Sequence, residues 1–96
     1  MRHYLAVLVP REVGGWRAHF PDFPGCRAEG QSVEVAVDAA ATAAAAHARW
    51  LKAQGVSLPL PQTYEEVRHH SKGWAAERGI DWSHAIASLV KLPLEE

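Results

Sequence analysis

The chain reads as an α+β fold: three antiparallel strands, a long helix, and a fourth strand parallel to the first (β-β-β-α-β), with a small helical insertion before the last strand. Three observations lead there. Short apolar runs of strand length, broken by glycine and proline turns, fill roughly residues 3–29. A long alanine-rich stretch of helical period follows. A last run of strand length, Ala85 to Leu92, lies beyond a second helix signal. At 96 residues this is a single domain, 1–96.

The first element, His3 to Val9, is apolar on both faces, which marks a central strand. Pro10 ends it, and Gly14-Gly15 supplies the positive-φ freedom of a hairpin turn. Trp16 to Phe20 alternates strictly: Trp16, Ala18 and Phe20 face one way, Arg17 and His19 the other. Pro21 and Pro24 cannot donate to a ladder, so the chain turns a corner there. Cys26 to Glu29 is a short third strand, closed by Gly30.

Ser32 is a good N-cap, with Glu34 in the first turn where the helix dipole favours an acid. Val33, Val37, Ala40, Ala44, Ala48 and Leu51 form one stripe, predicting a helix to about Gln54 that Gly55 stops. Its alanines give it a low profile against a sheet. Thr63-Tyr64-Glu65-Glu66 is a capping box and predicts a second, shorter helix; whether the insertion 63–82 holds one helix or two stays open. A helical crossover then predicts a last strand beside the first, parallel and right-handed. One face of the sheet takes the helix, and the other is expected to be exposed or covered by a second copy.

The run Phe20-Pro21-Asp22-Phe23-Pro24-Gly25-Cys26 resembles the signature of HicB-type antitoxins. The likeness continues through Gly30-Gln31-Ser32-Val33-Glu34 into the helix and on to Leu58-Pro59-Leu60-Pro61, covering roughly residues 3–62. It implies a truncated, partial RNase-H-like domain that binds a small HicA-type toxin, an mRNA-cleaving ribonuclease, and covers its active site. Many members add a C-terminal DNA-binding domain. This chain ends at Leu94-Glu95-Glu96, so no such domain and no direct DNA binding are expected.

Composition narrows the chemistry. The formal net charge is −1, without the basic excess of a phosphate-binding surface. The single cysteine, Cys26, permits no internal disulfide and points to a reducing compartment, and no leader or membrane-length apolar run is visible. A soluble cytoplasmic protein is expected. Two-metal phosphodiester cleavage needs several converging carboxylates, yet neither His3–Val9 nor Ala85–Leu92 carries an acid, and Glu34 and Asp38 on the helix lack partners from the sheet. The six histidines are scattered, and adjacent His69 and His70 diverge on a helix. No catalytic, cofactor-binding or metal-binding residues are expected. Cys26 is read as a small packing thiol, with no base to activate it.

Candidate partner contacts are therefore non-catalytic. Asp22, Phe23 and Pro24 form a rigid corner, with Glu29 nearby as a second acid to steer a basic toxin. Asp22 alternatively stabilises its own turn, and Phe23 alternatively plugs the core. Of the four tryptophans, Trp74 and Trp82 lie in the insertion, where a role in partner contact competes with packing back onto the domain. Self-association as a dimer or tetramer is expected from the uncovered sheet face. The competing reading is a stand-alone homo-oligomer of HicB fold that binds a small ligand or nucleic acid without a toxin.

Overall fold

The computed structural model describes residues 2–23, 25–69 and 84–92. Strand β1 spans Arg2–Pro10, β2 Trp16–His19 and β3 Arg27–Gly30; helix α1 spans Val33–Ala53, α2 Tyr64–His69, and strand β4 Ile86–Leu92. The strands form one sheet in the order β3-β2-β1-β4, and every neighbouring pair is antiparallel.

The alternation along the strands sorts side chains cleanly. Tyr4, Ala6 and Leu8 of β1, Ala18 of β2 and Val90 and Leu92 of β4 point to one face, where they join Phe20, Phe23 and Cys26 beneath α1. The helix meets them with Ala36, Ala40, Ala44 and Ala48, all fully buried. Alanine side chains let the helix lie close to the sheet, while Val33, Val37 and Leu51 pack along its flanks. Gly30 makes the turn from β3 into α1 possible. A Cβ there would stand 2.4 Å from the backbone nitrogen of Ala36, so the helix could not start where it does.

Both ends of α1 are sealed. The Ser32 hydroxyl accepts from the Val35 N–H at the N-cap. At the other end, Gly55 takes φ 73°, and the N–H groups of Gly55 and Val56 donate to the carbonyls of Lys52 and Leu51. That is a Schellman closure, which needs a left-handed residue where Gly55 stands. The capping box of α2 is reciprocal: Thr63 N–H donates to Glu66 Oε1 and Glu66 N–H to Thr63 Oγ1, both at 3.1 Å.

The last strand corrects the expected topology. β4 runs antiparallel to β1, with Leu5 opposite Leu89 and Leu8 opposite Ile86. Helix α1 does return the chain to the end of the sheet where β1 begins, since the connector after it meets Tyr4 and Asp22. A strand starting there would have been parallel. The chain instead changes face, for Val67 of α2 packs on Leu5 and Val7, opposite α1. It re-enters the sheet at the far end, beside Leu8. Entry from that end makes β4 antiparallel to β1, and the handedness rule for parallel crossovers does not apply.

The second face is covered in part: Leu89, opposite Leu5, is 62% exposed, whereas Leu5 and Val7 of β1 are closed over. Leu5 and Val7 are 3% and 0% exposed, covered by Val67 and Ala85 of the same chain. Their burial requires no second copy. The rest of the insertion after His69 lies outside the described residues.

Candidate partner-binding surface

The corner after β2 is closed by its own backbone. Phe23 N–H donates to Phe20 C=O, Cys26 N–H to Phe23 C=O, and Phe20 N–H to Cys26 C=O, at 3.2, 2.9 and 3.4 Å. This fold turns Phe23 inward, where it is 1% exposed and packs on Tyr4 and Phe20 with ring centroids 4.6 and 6.1 Å away. Phe23 is thus the core plug of the two alternatives.

Asp22 is turned in as well, at 8% exposure. Its Oδ1 accepts from Gln62 Nε2 at 2.9 Å and its Oδ2 from the Gln62 N–H at 3.4 Å. The aspartate thus ties the corner to a segment 40 residues later rather than to its own turn. A second tether lies beside it: the Tyr4 hydroxyl donates to Pro59 C=O at 2.8 Å. Neither Asp22 nor Phe23 presents its side chain to a partner in this arrangement. Glu29 stands elsewhere, on β3 across from Arg17 near the hairpin end of the sheet. Its Oε2 lies 2.8 Å from Arg11 Nε and 3.6 Å from an Arg17 guanidinium nitrogen. Asp22 and Glu29 therefore do not form a joint acidic patch. Pro24, Trp74 and Trp82 lie outside the described residues.

What the structure assembles at the corner end is an aromatic series running from core to surface. Tyr4 meets Phe23, Phe23 meets the His47 ring at 5.5 Å, and His47 meets Trp50 at 6.1 Å. The series begins fully buried and ends at Trp50, which is 57% exposed. The chain that follows exposes Val56, Leu60 and Tyr64, with Leu60 at 79%. Arg68 joins them: its guanidinium donates to the Tyr64 hydroxyl at 2.9 Å and its carbon lies 5.8 Å from the Tyr64 ring centre. Residues 50–64 thus form one continuous stretch, held by the tethers at Pro59 and Gln62 and stiffened by Pro59 and Pro61. Exposed Trp, Tyr and Arg side chains on a preorganised base are the usual anchors of protein interfaces, because little entropy remains to be lost on docking.

The sequence reading passed over Val56, Leu60 and Gln62. A signal for Leu60 was present in Leu58-Pro59-Leu60-Pro61: a proline-rich segment winds with three residues per turn, so residues two apart point in different directions, here with Leu58 half-buried and Leu60 outward. Nothing local in the sequence pairs Gln62 with Asp22.

The remaining reactive groups are placed simply. Cys26 is buried in the core beneath α1, and burial pushes its thiol up from the usual value of 9.0. Glu34 and Asp38 are exposed on α1. Among the described residues, no group of three or more His, Cys, Asp or Glu side chains is placed to hold a metal ion. No helix among them is long and apolar enough to cross a membrane.

No protein-family model matches this chain. No curated protein matches it either. Solved structures do. A chain in a structure of a HicA3 and HicB3 toxin-antitoxin complex is 24% identical, with a TM-score of 0.68 over 97% of this chain and 100% of that one. The N-terminal domain of Burkholderia pseudomallei antitoxin HicB is 19% identical, with a TM-score of 0.74 over 97% and 100%. In a longer structure of the same organism's HicB, this chain spans 65% of the length, at 18% identity and a TM-score of 0.70. The fold is that of HicB antitoxins, matched over nearly the whole chain.

Proposed function

We propose that the chain is an antitoxin-like binding module that holds a small basic HicA-type toxin and inhibits its RNA cleavage by covering the active site. The observation that carries this reading is the likeness, over essentially the full length of both chains, to a chain in a HicA3–HicB3 complex. The exposed surface of residues 50–64 supports it, since it joins apolar anchors to a rigid base. Inhibition of this kind needs burial of surface and no bond chemistry. A catalytic role for the module itself finds little support: β1 and β4 carry no carboxylate, and Glu34 and Asp38 point to solvent from α1. A cytoplasmic location, where mRNA is cleaved, goes with the reading, and no cofactor enters it.

The test is co-expression in a bacterial host of this chain with a HicA-type toxin encoded beside it. Growth arrest by the toxin is expected to be relieved by the wild-type chain, and relieved less by a Trp50→Ala, Leu60→Ala double variant. Arrest that persists despite abundant folded wild-type chain would refute the proposal.

A further inference from the structure

Helix α1 has a second face that the fold leaves open. Its buried line is Ala36, Ala40, Ala44 and Ala48. On the opposite side, at the 3- and 4-residue spacing of one helical face, stand Val35, Asp38, Thr42, Ala46, Arg49 and Ala53, all exposed. Val35 is 51% exposed. The charges on this side are ordered. Glu34 and Asp38 occupy the first half of the 21-residue helix, and Arg49 and Lys52 the second. Glu34 stands nine residues before the central Ala43 and Lys52 nine after; Asp38 stands five before and Arg49 six after.

A helix's own dipole explains acids in its first turn and bases in its last, but that effect fades beyond those turns. Asp38 and Arg49 lie further in, and among the described residues neither joins an ion pair within the chain. A pattern that is acidic, then small, then basic about a midpoint is complementary to itself under one operation. If a second copy is turned end to end, Asp38 meets Arg49 of the other copy, twice by symmetry, and Glu34 comes opposite Lys52. Thr42 and Ala46 lie where the two helices would cross, and small residues there allow interaxial distances near ~8 Å.

We infer that the outward face of α1 is a docking surface for a second copy of this chain, paired antiparallel about a two-fold axis near Ala43. The surface proposed for the toxin takes Trp50 at the end of α1 together with the connector and α2, whereas the dimer is tested at Asp38 and Arg49, so the two predictions stand or fall separately. The outward face of α1 also differs from the second sheet face, where Val67 and Ala85 pack over Leu5 and Val7.

The experiment is sedimentation equilibrium of the full chain from micromolar to hundreds of micromolar. The wild type is expected to be dimeric in the upper part of that range. Asp38→Arg and Arg49→Asp, each alone, set like charges opposite one another at two symmetric places and are expected to weaken the dimer by at least about tenfold. The Asp38→Arg, Arg49→Asp double variant restores opposite charges and is expected to regain the dimer, as is a mixture of the two single variants. Both positions are exposed, so the far-UV spectrum of each variant, and its melting temperature at concentrations where the wild type is monomeric, should match the wild type. A wild type that stays monomeric throughout the range overturns the inference. So does a dimer indifferent to either charge reversal, or singles that weaken it while double and mixture fail to recover.

Discussion

Asp22 shows how much a single carboxylate can organise. It sits in a turn whose residue types already favour turning, yet its two oxygens are spent on Gln62, at the far side of a helix and a connector. Hydrogen bonds to a charged group contribute about 1.5–3 kcal/mol each. Asp22→Ala is therefore expected to lower stability by about 1–3 kcal/mol, with Gln62→Ala costing less and the double variant less than the sum. Urea denaturation of the four proteins checks this; additive effects would show that the bond carries no stability. Asp22→Lys should lower the melting temperature too. Sequence reasoning could see that Asp22 was a special acid, but a contact 40 residues away leaves no trace in spacing. Gly30 is a second such residue: Gly30→Ala drives a Cβ into the first turn of α1 and is expected to cost about 1–3 kcal/mol. Cys26 was legible as a packing thiol. Its folded pKa lies above the unfolded 9.0, so its contribution is fully present below pH 9.0 and is lost as pH rises through the folded value. Cys26→Ala should flatten that alkaline decline in melting temperature, while native Cys26 reacts with thiol reagents far more slowly than the unfolded chain.

At the scale of elements, local signals did most of the work. The N-cap at Ser32, the glycine stop at Gly55 and the reciprocal box at Thr63 and Glu66 all form as their residue types require. These are interactions within a few residues, which is why they can be read from a chain. The buried stripe of α1 shifted slightly: Ala36 is at the centre and Val33, Val37 and Leu51 at the flanks, because a close approach to the sheet selects the smallest side chains. Ala40→Leu or Ala44→Leu would force helix and sheet apart, and each is expected to cost about 1–3 kcal/mol by thermal denaturation. The direction of β4 was not legible. Alternation along Ala85–Leu92 is the same read forwards or backwards, and nothing in it tells that Val67 crosses to the face of Leu5 and Val7 or that β4 enters beside Leu8. Short Hα–Hα distances by NMR between opposed residues of β1 and β4 would be expected; a parallel pairing would lack them.

For the whole molecule, the resemblance carried by Phe20–Cys26 and the helix pointed to the fold that the solved HicB structures share, while the expected direction of the last strand was wrong. The resemblance does not by itself locate a contact surface. Asp22 holds the connector at Gln62 and Phe23 fills the core, while the exposed Leu60 sits on that connector between Trp50 at the end of α1 and Tyr64 at the start of α2. A signature that runs through a fold can mark its scaffold as readily as its contact. The central claim is that the chain inhibits a HicA-type ribonuclease by binding it. The most direct measurement is RNA cleavage by such a toxin, encoded beside this chain, titrated with the purified protein. Cleavage is expected to fall to nothing at a fixed stoichiometric ratio, with Trp50→Ala and Leu60→Ala raising the amount required. Cleavage that continues undiminished in excess folded protein would contradict the account.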